Sequence, residues 1–251
     1  MKTTSTIIFL VAALLTTSCA FVSISGSGKA GKNDGNGIVA EKSFDICDFA
    51  GIKLDVPASV SYKVAEAPFM SVRLDENLMD YLKVSVTDGL LKIGSTRPLR
   101  NFKVFNIALS SSALLELDCN GAADFASCDP IYADIFEMKT SGTAHVEIDS
   151  LVARVTRMSV NGAGEANVYF VDGDNKYAFK QADVKLNGSG NVTLSSSSKI
   201  RVVSVDIKGT GTVDLTGLDY EYVDKRHIGR GSVNTGNRPD DIPDPSDSEN
   251  N

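Results

Sequence analysis

DVKLNGSGNVTL (Asp183–Leu194), SSSSKIRVV (Ser195–Val203) and SVDIKGTGTVDL (Ser204–Leu215) decide the fold. The first and third segments are one pattern: alternating apolar residues, a Gly-x-Gly corner, then alternating apolar residues again. Their leading glycines are Gly188 and Gly209. The same pattern recurs outward at Gly121, Gly142, Gly162 and Gly229, with steps of 21, 20, 26, 21 and 20 residues. A fixed period near 20 is the signature of a solenoid or related array, in which each repeat buries its apolar face only against its neighbours.

Aligning the repeats on the leading glycine exposes three columns. Two residues before it stand Cys119, Thr140, Val160, Leu186, Ile207 and His227. Four before it stand Leu117, Met138, Met158, Val184, Val205 and Lys225, and four after it Phe125, Val146, Ala166, Val192, Val213 and Val233. The columns skip every second residue, so they share one face of their strands and predict a common core. They weaken at Lys225 and His227, which marks the last repeat as a cap. The glycines suit sharp corners, because glycine enters left-handed backbone conformations without a steric penalty. The corner residue before them is often Asn (Asn120, Asn161, Asn187), which tolerates the same region. Ser195–Ser198 and the long step containing VDGDNKYAFKQAD read as corner insertions.

Upstream, residues 44–115 form a strand-rich unit. IKLDV, VSYKV, MSVRL, LKVSV, LLKI and VFNIAL have strand composition and several alternate with period two. Asp88-Gly89 between two of them predicts a hairpin. Glu76–Leu82 suits one or two helical turns with Asp75 as a cap.

The first 18 residues read as a signal peptide. Ile7–Leu15 is an apolar run of nine, too short to span a bilayer but of signal-core length. Small residues before Cys19 resemble a bacterial lipobox, although Thr16 stands where Leu is favoured. Lipidation of Cys19, and so membrane attachment through an N-terminal lipid anchor, is one expectation; ordinary secretory cleavage is the other. Residues 19–40, rich in Gly, Ser, Asn and Lys, read as a flexible tether, 41–236 as the folded domain and 237–251 as a disordered acidic tail. That tail region holds five acids at its end, so the net charge of −7 falls to about −2 for the remainder. A nearly neutral body argues against nucleic-acid binding, which needs a clustered basic face. Three other cysteines, Cys47, Cys119 and Cys128, allow one bridge and a leftover, with three pairings open.

The leading motif FAGIKLDVPASVSYKV (Phe49–Val64) and LMDYLKVSVTDGLLKI (Leu78–Ile93), followed by NGAG, NGSG and GTG corners, resembles the head GIN domain family, whose members are described as auto-transporter adhesins. The resemblance covers residues 44–236. It implies an exported all-β protein with a right-handed β-helix-like fold, often lipid-anchored, with no catalytic residues to carry over. This chain departs from the pattern in its GTAH corner and its terminal HIGRGSVNTG.

Weighed against these readings, the chemistry-bearing residues are sparse. No Gly-x-Gly extends to GxGxxG or opens a helix, so a phosphate cradle is not expected. Asp172-Gly173-Asp174-Asn175 offers too few oxygens for Ca²⁺, and with two histidines and no CxxC a zinc site is not expected. No cofactor is predicted. Outward acids (Asp124, Glu147, Asp149, Glu165, Asp214) are scattered, not paired for glycan cleavage. Arg154 and Arg157 form a basic pair on a presumed corner. Tyr132, Tyr169, Tyr177, Tyr220 and Tyr222 are candidates for a ligand-stacking surface, and Tyr169, Tyr220 and Tyr222 are the residues taken forward. The expectation is a non-enzymatic, outer-membrane or cell-surface adhesin binding a glycan or protein. A periplasm-facing scaffold is the alternative, and a polysaccharide-active β-helix enzyme the third reading.

Overall fold

A computed structural model describes residue 31 and residues 33–127, 129–172 and 181–236. The expectations for the signal peptide, Cys19, Cys128, Tyr177, the loop beyond Asp172 and the tail from 237 lie outside the described residues. The strands are β1 (Val39–Ser43), β2 (Gly51–Leu54), β3 (Ser59–Val64), β4 (Phe69–Asp75), β5 (Leu82–Thr87), β6 (Leu90–Ser95), β7 (Phe105–Ser111), β8 (Glu116–Gly121) and β9 (Asp124–Ser127). They continue as β10 (Ile131–Gly142), β11 (His145–Gly162), β12 (Glu165–Phe170), β13 (Gln181–Gly188), β14 (Asn191–Gly209), β15 (Thr212–Gly229) and β16 (Ser232–Asn234). One helical turn, α1 (Glu76–Met79), lies between β4 and β5.

The period becomes register. Gly121, Gly142, Gly162, Gly188, Gly209 and Gly229 stand beside one another in successive parallel ladders. Residues one period apart pair throughout, as in Met138 beside Met158 beside Val184 beside Val205. All three apolar columns point inward and are buried down to the fifth repeat; in the last, Lys225, His227 and Val233 are half-buried, as a cap requires.

Each long strand carries two ladders. The front of β11 pairs with β9 and β12, and its back with β10 and β13. Between them the alternation of burial breaks at Asp149–Ser150 and again at Arg154–Val155; Gly162 makes a third corner. Three breaks per repeat wrap the chain around one core. The pairing therefore bears out the coarser part of the expectation: an all-β chain whose parallel strands close on themselves, barrel-like, with extra strands. Those extra strands are antiparallel and lie toward the N-terminus, β1–β4–β7 on one side and β5–β6 on the other.

The upstream expectations for strands and hairpin hold. All six predicted runs are strands, β2 to β7. Thr87 pairs with Leu90 across Asp88 (φ 51°) and Gly89 (φ 73°), the two left-handed residues of a two-residue hairpin turn. Ser195–Ser198 is a corner insertion as expected: Ser195 stands level with the Asp149 corner, and although β14 runs through it, the ladder to β15 takes up the extra residues as register shifts.

The tether requires correction. Residues 33–40 pack on the folded body. The Gly35 and Gly37 N–H groups donate to the Arg100 carbonyl (3.0 Å) and to Asp75 Oδ2 (2.6 Å), and β1 then pairs with β4. Asp75 is fully buried and makes no side-chain cap to α1. Its other oxygen accepts from Lys103 N–H (2.9 Å), so it ties two loops together instead.

Two core positions carry an unmet polar group. Thr140 and Thr156 face inward and their Oγ1 atoms have no hydrogen-bond partner among the described residues. An unpaired buried hydroxyl is destabilising, and an apolar group of the same shape removes that penalty. Thr140→Val and Thr156→Val are expected to raise the unfolding midpoint, each by about 1 kcal/mol in stability. Chemical denaturation checks this, and a loss of stability in both variants contradicts it.

Candidate outer-face binding sites

Because inward residues fill the core, any ligand must meet outward side chains on the ladders. The strand spacing of about 4.8 Å sets their separation along each column. Two concave areas stand out.

The first, about 590 Å³, lies on the back ladder. One column runs Glu116, Glu137, Arg157, Asp183, Ser204, Asp224, and its neighbour runs Lys53, Asp118, Lys139, Ser159, Lys185, Asp206, Arg226. This face is largely self-paired. Lys53 bonds Asp118 (2.8 Å), Lys139 lies 3.8 Å from Glu116, Arg157 bonds Glu137 (3.0 Å) and Arg226 lies 3.6 Å from Asp224. The Asp118 bond raises the Lys53 pKa against its partial burial. A ligand here must displace ion pairs that already meet one another's needs.

The second, about 500 Å³, is a trough on the front ladder. Its floor is Ser59, Ser61, Ala108 and Ala126. One end carries Glu41, Phe69 and Arg73, the other His145 and Glu147. Sequence reading missed this site. The alternation of small outward residues in SVSY and NIAL was its only local sign.

The proposed tyrosines do not converge. Tyr169 is exposed on β12 opposite Ser195, and Tyr222 is exposed on β15 opposite Val202. Tyr220, expected on the same face as Tyr222, is 7% exposed, because the corner at Glu221–Tyr222 puts two consecutive residues outward and breaks the shared parity. Arg154 and Arg157 each hold an acid one repeat earlier. Arg154 makes a two-pronged bond to Asp134 (2.6 and 2.7 Å), which raises its pKa further, and Arg157 lies on the strand face rather than the corner. His145 lies on the outer face of the front ladder, its Nδ1 3.6 Å from Glu165.

Reactive groups are few. Cys47 and Cys119 are both free thiols, and since each of the three pairings needs at least one of them, none is formed in this structure. Cys119 is buried and its pKa is pushed up to about 12, chiefly by desolvation, so it stays a protonated core residue. Among the described residues no group of three or more His, Cys, Asp or Glu is placed to hold a metal, and no helix is long and apolar enough to cross a membrane.

Comparison with known proteins places the chain. Three solved structures share its fold. A putative adhesin from Parabacteroides merdae is 23% identical, with 80% of this chain and 97% of that one covered (TM-score 0.54). A putative adhesin from Bacteroides fragilis is 16% identical, with 78% and 96% covered (TM-score 0.55). A putative lipid binding protein from Parabacteroides distasonis is 22% identical, with 80% and 98% covered (TM-score 0.54). No curated protein matches the chain. The profile described as "Putative auto-transporter adhesin, head GIN domain" matches residues 48–239, and the chain therefore belongs to the head GIN domain family.

Proposed function

We propose that this protein is a non-enzymatic cell-envelope adhesin. In this reading it is lipid-anchored through Cys19 and binds a glycan or protein on the outer face of a right-handed β-helix. Family membership supports the adhesin role, and parallel crossover connections are right-handed in about 98% of cases. The observation that carries the binding reading is the ladder itself. Gly-to-Gly register fixes every outward side chain in columns, so a ligand meets a preorganised surface rather than mobile loops. Of the outward acids, Asp124 and Glu147 come together in the front trough, and the preference for binding over cleavage rests on family membership.

The rival, a periplasm-facing scaffold, is favoured by the self-paired charges of the back ladder, which leave little for a ligand. Accessibility separates the two. External protease added to intact cells is expected to digest the protein, whereas full protection overturns surface display. Replacing Cys19 with Ala is expected to release it from the membrane fraction; retention there overturns the anchor.

A further inference from the structure

We infer that the front trough is a binding cleft for an uncharged glycan, an assignment that rests on the adhesin reading and gives it a site and a ligand class. The trough crosses five strands that are not consecutive in the chain: β4, β7, β3, β9 and the front of β11. Across them one outward column reads Ser71, Ala108, Ser61, Ala126, Glu147, and its neighbour reads Arg73, Asn106, Ser59, Asp124, His145. Four strand spacings separate the ends by about 19 Å. Between them no side chain is longer than Asn or Asp, so the sheet itself is the floor and the long side chains at each end are walls.

The walls carry what sugar recognition needs. Phe69 is 48% exposed at the rim, an apolar ring facing water on an otherwise polar stretch of β4. A ring so placed stacks on the C–H face of a sugar, and desolvating it is favourable. Arg73 and Glu147, one at each end, are exposed and make no ion pair or side-chain hydrogen bond among the described residues. Glu41 sits directly across from Arg73, yet it accepts from Ser71 Oγ (2.8 Å). The guanidinium thus keeps its donors, and Glu147 its acceptors, for hydroxyl groups. This is the opposite of the back ladder, where ion pairs use them up.

Charge decides the class. Glu41, Asp124 and Glu147 outnumber Arg73, so an anionic polymer meets net repulsion along the trough. A neutral oligosaccharide uses donors and acceptors alike and brings no like charge. A folded protein partner is less suited, since it needs about 800 Å² per side with several anchors, and the trough offers one aromatic residue in a concave strip.

The full chain would be screened on an array of neutral and anionic oligosaccharides beside an array of matrix proteins. Calorimetry on the best neutral hit would then compare wild type with Ser61→Trp, Phe69→Ala and, on the back ladder, Ser159→Trp. The expected result is neutral-glycan binding that Ser61→Trp abolishes, Phe69→Ala weakens about tenfold and Ser159→Trp leaves unchanged. Thermal melts confirm folding, and Phe69→Ala, at an exposed side chain, keeps the test decisive if Ser61→Trp misfolds. Neutral-glycan binding that survives Phe69→Ala and any folded Ser61→Trp overturns the cleft and leaves the adhesin reading. Binding only to anionic glycans, or only to matrix proteins, overturns the ligand class in the same way. Silence on both arrays overturns the inference and the adhesin reading together.

Discussion

Gly188→Val and Gly209→Val are each expected to lower the unfolding midpoint by about 10 °C, given 2–4 °C per kcal/mol for a chain of this size. The two glycines sit at φ 129° and 134°, where an L side chain is strained whatever the space around it. Space is also lacking. A Cβ on Gly188 overlaps the carbonyl oxygen of Gly162, and one on Gly209 overlaps that of Gly188, because the corners are stacked in register. Backbone strain contributes about 1–3 kcal/mol and overpacking a similar amount. The neighbour cannot yield, since the same carbonyls accept hydrogen bonds from the following corner: Gly162 from Ser189 and Gly190, Gly188 from Thr210 and Gly211. Thr193, outward on the front ladder, is the control; Thr193→Ala is expected to stay within about 0.5 kcal/mol of wild type. Differential scanning calorimetry decides the matter. Two thermally neutral glycine variants would mean that the stacked corners do not set the fold's stability.

Asp75→Ala is expected to destabilise the protein by about 2–4 kcal/mol, because it removes a fully buried carboxylate that accepts hydrogen bonds from two backbone donors. Those donors are the N–H groups of Gly37 and Lys103. The change also acts at a distance in sequence. Asn36 bonds Asn77 and Glu76, and Ile38 accepts from the Glu76 N–H (2.8 Å), so the N-terminal segment is held by the short stretch beginning at Asp75. Hydrogen exchange should then accelerate first at residues 33–43 and later in the parallel ladders. Unchanged protection at Gly37 in the variant would show that Asp75 is not the tie.

The fold was legible where local pattern and global structure coincide. Alternation found β2 to β7, Asp88-Gly89 found the hairpin, and the glycine period found which residues stand side by side, since a strand's side-chain period is two and its corners need left-handed backbone. Three things were not legible, for distinct physical reasons. The docking of residues 33–38 is made by backbone groups and by the short polar side chains of Asp34 and Asn36, which leave no apolar period, so a Gly- and Asn-rich run looked like a tether. The corner at Glu221–Tyr222 puts two neighbours outward, and strict alternation cannot foresee where that occurs, so Tyr220 was assigned outward and is buried. The trough joins Phe69, Ala108, Ser61 and Ala126, which meet only because β4, β7, β3 and β9 pair out of chain order. Reading along the sequence keeps such residues apart.

The long step between Gly162 and Gly188 has a practical meaning. Phe170 still faces Ser196 and Gln181 still faces Val202, and both glycines remain in line, so the additional residues leave the ladders on either side undisturbed. Length at this one junction is thus decoupled from the fit of everything around it. A foreign peptide spliced between residues 172 and 181 would be presented from a fixed frame, since Phe170 and Gln181 are each held by their own ladder. The junction is therefore an insertion port, where a reporter or epitope can be installed while the rest of the molecule keeps its geometry.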